Sequence, residues 1–499
     1  MKEVNISNMN EETKQPTFYR RFFLFALIIL ILTTLLASAA PSSSTALAMS
    51  PNNNWQQASV PGFGDRHNSV PWSMQWWRGH LYVGTLRSFV CWRAAIWASA
   101  FPKLASAFYP PNQPDADCTA SPTDLPMQAE IWRWTPETDS WERVYQSPLT
   151  VPIPDHPGRF MARDTGFRGM LVFTETNGTE ALYVMGVSPR EMYGNDPNLP
   201  PPRLLRSTDG INFTAVPQDP NTYMGDLALT GLRSGTIHNG RMYLTNGAAR
   251  GEGILIESAD PATGNNSFHE VMPAGTIVWD AISYNGFLYV GIVNENGFSV
   301  VKSAVQGSPP YEFVTVIPEG GYLSVPSKSI VSFQIFKDSL YVGTYYPAEL
   351  YRIHSDDTWD LLVGEARSTP TGWKYPLSGL AEGFGWPFNV QIYRMHAYNG
   401  ELYLGTLDVS REITEAIPNP ELDAMLSWQY GFDLYRTVDG QIFEPVTVNG
   451  FNDEFQIVVR TFSTNEYGLF MGTGSYWYGL KIWRLAEGAK IFLPFVTDD

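Results

Sequence analysis

One short strand, written seven times, constrains this chain more than anything else in it. It appears as RGHLYVGTL (78–86), GTEALYVMGV (178–187), NGRMYLTNGA (239–248), NGFLYVGIVN (285–294), KDSLYVGTYY (337–346), NGELYLGTLD (399–408) and EYGLFMGTGS (466–475). Apolar positions alternate with an aromatic, which is the period of a strand, and a Gly-containing turn stands in front of most copies. With the aromatic as marker, the copies fall at Tyr82, Tyr183, Tyr243, Tyr289, Tyr341, Tyr403 and Phe470. The two shortest intervals, 243 to 289 and 289 to 341, are 46 and 52 residues. That is close to the roughly 40–50 residues of a propeller blade.

Each copy sits in the same grammar. An apolar first strand leads into a turn, often Asn-Gly, which accepts the positive φ angles of a tight hairpin. The repeated strand follows, then a third (AEIWRW, PRLLRS, GILIES, FSVVKS, AELYRI, GFDLYR, LKIWRL) and, in six copies, a fourth after a polar turn. The reading is an all-β fold: a seven-bladed β-propeller of four-stranded antiparallel blades spanning 53–487. The seventh repeat lacks a fourth strand of its own. NWQQASVPGFGDRHNSVPWSM (54–74) parallels QIFEPVTVNGFNDEFQIVVRT (441–461), so residues near 55–60 are expected to complete the last blade and close the ring. Closure removes exposed sheet edges.

At this point the chain resembles known proteins. STDGINF (207–213), TVDGQIF (437–443) and HSDDTW (354–359) look like degenerate Asp-box turns of sialidase-like propellers. The recurring GFG, LYVGT, EIWR, DG and W grammar is similar to a family of uncharacterised secreted bacterial β-propellers. The resemblance implies fold more than activity, because Asp boxes are structural turns. Sialidases also use an arginine cluster, but their Arg-Ile-Pro signature near the N-terminus is not found here.

The first 40 residues read as an export signal or membrane anchor. Arg20-Arg21 precede a long apolar run, and Ala37-Ser38-Ala39 has a small-x-small cleavage pattern, with Ala46-Leu47-Ala48 as a second candidate. The run is near the length that spans a bilayer, so an uncleaved anchor stays open. Residues 41–52 read as a linker and 488–499 as a C-terminal tail. The expected location is secreted or cell-surface, with membrane contact only through an uncleaved N-terminal segment. Cys91 and Cys118 are the two cysteines, and an even count in an exported chain predicts one disulfide between them.

The net charge of −17 argues against nucleic acid, which needs clustered Lys and Arg. No His-Glu-x-x-His, Gly-x-Ser-x-Gly, phosphate loop or calcium loop occurs, and the seven His show no metal-ligand spacing. No metal, cofactor or catalytic residue is assigned. Three insertions, 87–128, 364–389 and 409–430, fall in loops expected on one face, and long loops on a rigid scaffold usually carry function. In 409–430, Asn419 is placed to cap a short helix with Pro420 at its first position. Trp373 and Trp386 in the second insertion could stack on sugar rings, or simply pack the insertion down.

Four first strands begin with Arg: Arg168, Arg233, Arg394 and Arg460. The matching regions of the other repeats hold Ser73, Asp280 and Ser332. Converging guanidiniums suit a carboxylate, sulfate or phosphate. They could also serve as structural ties. The expected function is binding of a glycan, another extracellular polymer or a surface protein at the insertion-rich face. A glycoside hydrolase with a sialidase-like propeller and a structural interaction module are the alternatives.

Overall fold

The computed structural model describes residues 54–246, 253–294, 296–325 and 327–486. The expected leader or anchor (1–40), linker (41–52) and tail (488–499) lie outside the described residues. The chain is mostly β with few helices, and its architecture is of the β-propeller type.

Repeat 6 shows the plan. The strand Asn389–Tyr398 pairs antiparallel with Glu401–Asp408, which pairs with Leu434–Thr437, which pairs with Glu444–Thr447. The Asn399-Gly400 turn between the first two has φ of 49° and 80°, the double positive φ that a two-residue hairpin matching the strand twist requires. Lys337-Asp338 takes the same conformation (φ 47° and 58°) without a glycine. The fourth strand is short in repeats 2 and 3, reduced to Thr214–Ala215 and His269–Glu270.

The marker aromatics are all buried. Burying each contributes about 1.5–3 kcal/mol. Three of the phenols find carboxylate acceptors: Tyr183 Oη donates to Glu175 at 2.7 Å, Tyr289 Oη to Asp357 at 2.7 Å and Tyr403 Oη to Glu401 at 2.6 Å.

The first strands are Asn68–Trp77, Gly166–Thr174, Ser234–His238, Ile277–Tyr284, Ser329–Phe336, Asn389–Tyr398 and Val458–Asn465. Each packs on the next, and Val458–Asn465 packs back on Asn68–Trp77. Repeats are further joined where the end of a second strand bridges the next first strand, as at Leu86–Gly166, Val187–Gly231, Tyr345–Gln391 and Leu407–Val458. The last strand of repeat 7, Lys481–Leu485, pairs antiparallel with Trp55–Gln57, in the register Trp55 to Leu485 and Gln57 to Trp483. The fragment expected to finish the last repeat therefore lies on it.

Two insertions are helical. Phe89–Ala100 is an α-helix, and Cys91 in its first turn is disulfide-bonded to Cys118, with Cα atoms 5.4 Å apart. In the other insertion, Ser410–Ala416 and Pro420–Leu426 are helices. Asn419 Oδ1 accepts from the N–H groups of Glu421 (2.9 Å) and Leu422 (3.0 Å), as a capping residue should.

Aspartates bond across the turns of STDGINF and TVDGQIF. Asp209 Oδ1 accepts from Ile211 N at 2.9 Å and Asn212 N at 2.8 Å, and these bonds hold its carboxyl far below the usual range. Asp439 Oδ1 accepts likewise from Gln441 N and Ile442 N.

Candidate functional site: arginines among the first strands

The site begins with a backbone irregularity. In six repeats the first strand carries, at an equivalent place, a residue that pairs with nothing on the second strand. These bulged residues are Trp72, Arg168, Trp279, Val331, Tyr393 and Arg460. Repeats 1 and 6 carry a second one nearer the strand start, Ser69 and Val390. In repeat 3, Ser234 pairs with Thr245 while Arg233 N also donates to Thr245 O, so two residues again oppose one. A bulge re-aims its side chain out of the regular alternation.

This register corrects the expected alignment. Arg168, Arg233 and Arg460 are equivalent, each at the bulge. Arg394 stands one residue later, at the position of Ser73, Ser234, Asp280, Ser332 and Thr461. The sequence comparison placed Arg394 with the other three because a bulge adds a residue that strand periodicity does not reveal.

Despite the offset, the four arginines meet. Arg394 Nη1 donates to Val331 O at 3.2 Å and lies 3.7 Å from Asp280 Oδ2, while its Nε donates to Arg460 O at 3.3 Å. Arg233 Nη2 donates to the same Val331 carbonyl at 3.1 Å. Aromatic faces line the cluster: Arg168 and Arg460 lie over Trp72 (5.2 and 5.6 Å), Arg460 also over Tyr393 (4.3 Å), and Arg233 over Trp279 (4.9 Å). Asp280 is fixed by Ser234 Oγ at 2.7 Å and Ala281 N at 3.0 Å.

The electrostatics follow from this crowding. Burial lowers the proton affinity of Arg233 well below the ordinary guanidinium range. Arg168 and Arg394 push the same way, and Asp280 opposes them. Arg460 is lowered by burial and by Arg168 and Arg233. Arg168 is lowered by burial and by Arg394, against the field of Glu191. Four guanidiniums thus face the two carboxylates whose fields reach them. Among the described residues, the buried Nε atoms of Arg168 and Arg233 and the indole N–H groups of Trp72 and Trp279 have no hydrogen-bond partner. All four are donors. Such a set can accept an oxyanion and cannot bind a cation.

The insertions meet beside the cluster. Arg93, on the Phe89–Ala100 helix, pairs with Glu412 of the Ser410–Ala416 helix at 2.6 Å. Phe89 stacks on Tyr476 of repeat 7 at 4.0 Å, and the Tyr476 hydroxyl feels both Arg93 and Arg460. Arg411 gathers Glu415 (2.6 Å), Asp423 (3.5 Å) and Asp115 (3.8 Å) from both insertions. Of these contacts only Arg411–Glu415, four residues apart on one helix, has a local sequence signal.

The two tryptophans expected to touch a ligand lie elsewhere. Trp373 is 63% exposed and stacks on Tyr375 at 5.9 Å. Trp386 donates from Nε1 to Asp408 Oδ2 at 2.6 Å and packs edge-on against exposed Trp428 at 5.3 Å. A separate cleft of about 300 Å³, lined by Leu125, Met127, Phe160, Met192 and Tyr193, holds the exposed Arg159–Asp124 pair and no buried charge. Among the described residues, no group of three His, Cys, Asp or Glu side chains is arranged to hold a metal, and no helix is long and apolar enough to cross a membrane.

No known family matches the sequence, and no curated protein does. Among solved structures, the chain is similar to a GH74 xyloglucanase from Xanthomonas campestris (14% identity, TM-score 0.40, covering 84% of this chain and 59% of that one). It is also similar to a GH74 enzyme from Niastella koreensis (12%, TM-score 0.39, 79% and 46%). A third is a chain of a nidogen/laminin complex (10%, TM-score 0.32, 57% and 88%). The matched region spans less than two thirds of either GH74 chain.

Proposed function

We propose that the protein is a secreted or cell-surface seven-bladed β-propeller that binds an extracellular glycan or other polymer through an anionic group. The ring is closed by Trp55–Gln57, a reading supported by the pairing of that strand with Lys481–Leu485 and by the cyclic packing of the seven first strands. The Cys91–Cys118 disulfide supports an oxidising compartment. The exposed Trp373 and Tyr375 and the Trp386–Trp428 pair offer sugar-stacking faces on insertions 364–389 and 409–430.

The observation that carries the reading is the donor-only cluster of Arg168, Arg233, Arg394 and Arg460. Holding one buried and three half-buried cations beside two carboxylates costs stability. An oxyanion would meet several guanidiniums at once in a partly dehydrated recess, where each contact is stronger than on an open surface.

The test is isothermal titration of uronic-acid or sulfated polymers beside neutral ones, with a fluorogenic glycoside panel run in parallel. Anionic polymers should bind. Arg394→Ala or Arg460→Ala should weaken binding by about 1.5–3 kcal/mol per charged hydrogen bond lost. A large fall in melting temperature with unchanged affinity would assign the arginines to the scaffold. Turnover of a glycoside would replace binding with hydrolysis.

A further inference from the structure

Repeats 1 and 6 are built alike at the start of the first strand. In both, a GFG turn puts a phenylalanine at positive φ (Phe63, 55°; Phe384, 61°). Each phenylalanine stacks on the second residue after a buried acid: Phe63 on Trp132 at 4.6 Å and Phe384 on Tyr435 at 4.0 Å. In both, an asparagine opens the first strand and donates to the turn carbonyl and to that acid. Asn68 Nδ2 reaches Gly62 O (3.0 Å) and Glu130 Oε2 (2.9 Å). Asn389 Nδ2 reaches Gly383 O (3.0 Å) and Asp433 Oδ2 (2.7 Å).

They differ at the residue paired with the asparagine. Repeat 1 has Arg87 opposite Asn68, and its guanidinium neutralises Glu130 at 3.0 Å and donates to Asn68 Oδ1 at 3.2 Å. Repeat 6 has Asp408 opposite Asn389. Two other repeats also match their buried acid with a cation: Arg203 with Asp164 and Arg367 with Glu349. In repeat 6 two fully buried carboxylates stand together, and among the described residues neither forms an ion pair.

Both acids are bonded mainly by donors. Asp408 accepts from Ser410 N at 2.9 Å and Trp386 Nε1 at 2.6 Å. Asp433 Oδ2 accepts from the amides of Asn389 and Gln429 (2.7 and 3.1 Å). The hydroxyls of Ser410 and Tyr435 (3.3 Å) complete the set, and burial raises the proton affinity of both acids, Asp433 to about 7. What remains over is acceptors: Asp433 Oδ1 and Asn389 Oδ1 are buried with no hydrogen-bond partner. Asn389 Oδ1 is the counterpart of the atom that receives Arg87 in repeat 1.

We propose that Asn389, Asp408 and Asp433 bind a hard cation of the calcium class, in the place that the Arg87 guanidinium takes in repeat 1. All three supply oxygen, the ligand type such ions require. The cation would compensate two buried charges that are otherwise costly. Through Trp386 and Ser410 it would fasten insertions 364–389 and 409–430 to the sheet.

The test uses the full chain freed of metal with chelator. Titration calorimetry and melting curves are taken in calcium, magnesium and sodium. Calcium should raise the melting temperature of the wild type, and chelator should reverse it. Asp433→Asn should weaken calcium binding more than about tenfold. Asp408→Arg, which transplants the repeat 1 arrangement, should fold without calcium and lose its response. A wild type whose melting temperature is the same in chelator and in every cation overturns the proposal. So does a calcium response unchanged in Asp433→Asn, which stays informative even if Asp408→Arg fails to fold. Stability that ignores cations but falls as the pH rises through neutrality would put a shared proton there instead.

Discussion

Replacing Arg233 by Met should leave the ligand-free protein as stable or more so, and this tests the cluster most severely. Arg233 is 1% exposed, donates one hydrogen bond at 3.1 Å to the neutral Val331 carbonyl and stacks on Trp279. Losing a charge-assisted bond costs about 1.5–3 kcal/mol. Losing a desolvated cation–π contact costs about 2 kcal/mol. On the other side stands the penalty for dehydrating the ion, several kcal/mol, together with repulsion from Arg168 and Arg394. Swapping buried ions for apolar groups of similar volume is often neutral or stabilising by 1–4 kcal/mol. The expected balance is between zero and about +2 kcal/mol, a melting temperature unchanged or a few degrees higher. Melting curves of wild type and Arg233→Met, with and without a bound anionic polymer, read both sides. The wild type should gain stability from the polymer, and the variant should gain much less. A ligand-free variant destabilised by more than about 3 kcal/mol would refute the reasoning, because Arg233 would then be a tie that the scaffold needs.

Three further outcomes are expected. Trp55→Ala should cost about 3–5 kcal/mol in denaturant unfolding, because Trp55 is buried edge-on against Tyr403 at 6.0 Å on the strand that completes repeat 7; an unchanged midpoint would remove that strand from the ring. Cys91→Ser opens a bridge between residues 27 apart, worth about 3–4 kcal/mol by loop closure, and hydrogen exchange should rise in the Phe89–Ala100 helix while the sheets stay protected. His396 is pulled down to about 4 by burial, so its neutral form is the folded one. Its contribution is intact above pH 6.5 and is lost as the pH falls from there toward 4, where the unfolded chain takes up the proton first. His396→Gln should therefore flatten the fall in melting temperature between pH 7 and 5, and parallel curves would exclude the effect.

The strand order and hairpin turns were readable because period-2 alternation and Asn-Gly state backbone geometry locally. The capping of Pro420–Leu426 by Asn419 was readable for the same reason. The Phe89–Ala100 helix was not. It is apolar on every side, since it packs among Trp72, Leu125 and Met192 rather than against one surface, so no helical stripe appears. The arginines were legible as a set but not in register. A bulge is a relation between two strands, and one strand cannot announce it. The Arg93–Glu412 pair and the acid that faces Asp408 are hidden in the same way. Each depends on what stands opposite, at a distance that sequence spacing does not measure.

The bulges have a consequence for how such a protein can change. At the bulge they share, the first strands each present one residue outside the ladder, in chain order Trp, Arg, Arg, Trp, Val, Tyr and Arg. A side chain there pairs with no residue across the sheet, so exchanging it leaves the strand register untouched. Val331 illustrates the point, since Arg233 and Arg394 both hold its carbonyl and not its side chain. The bulges are therefore positions at which a side chain can be exchanged without redesign of the sheets that carry it.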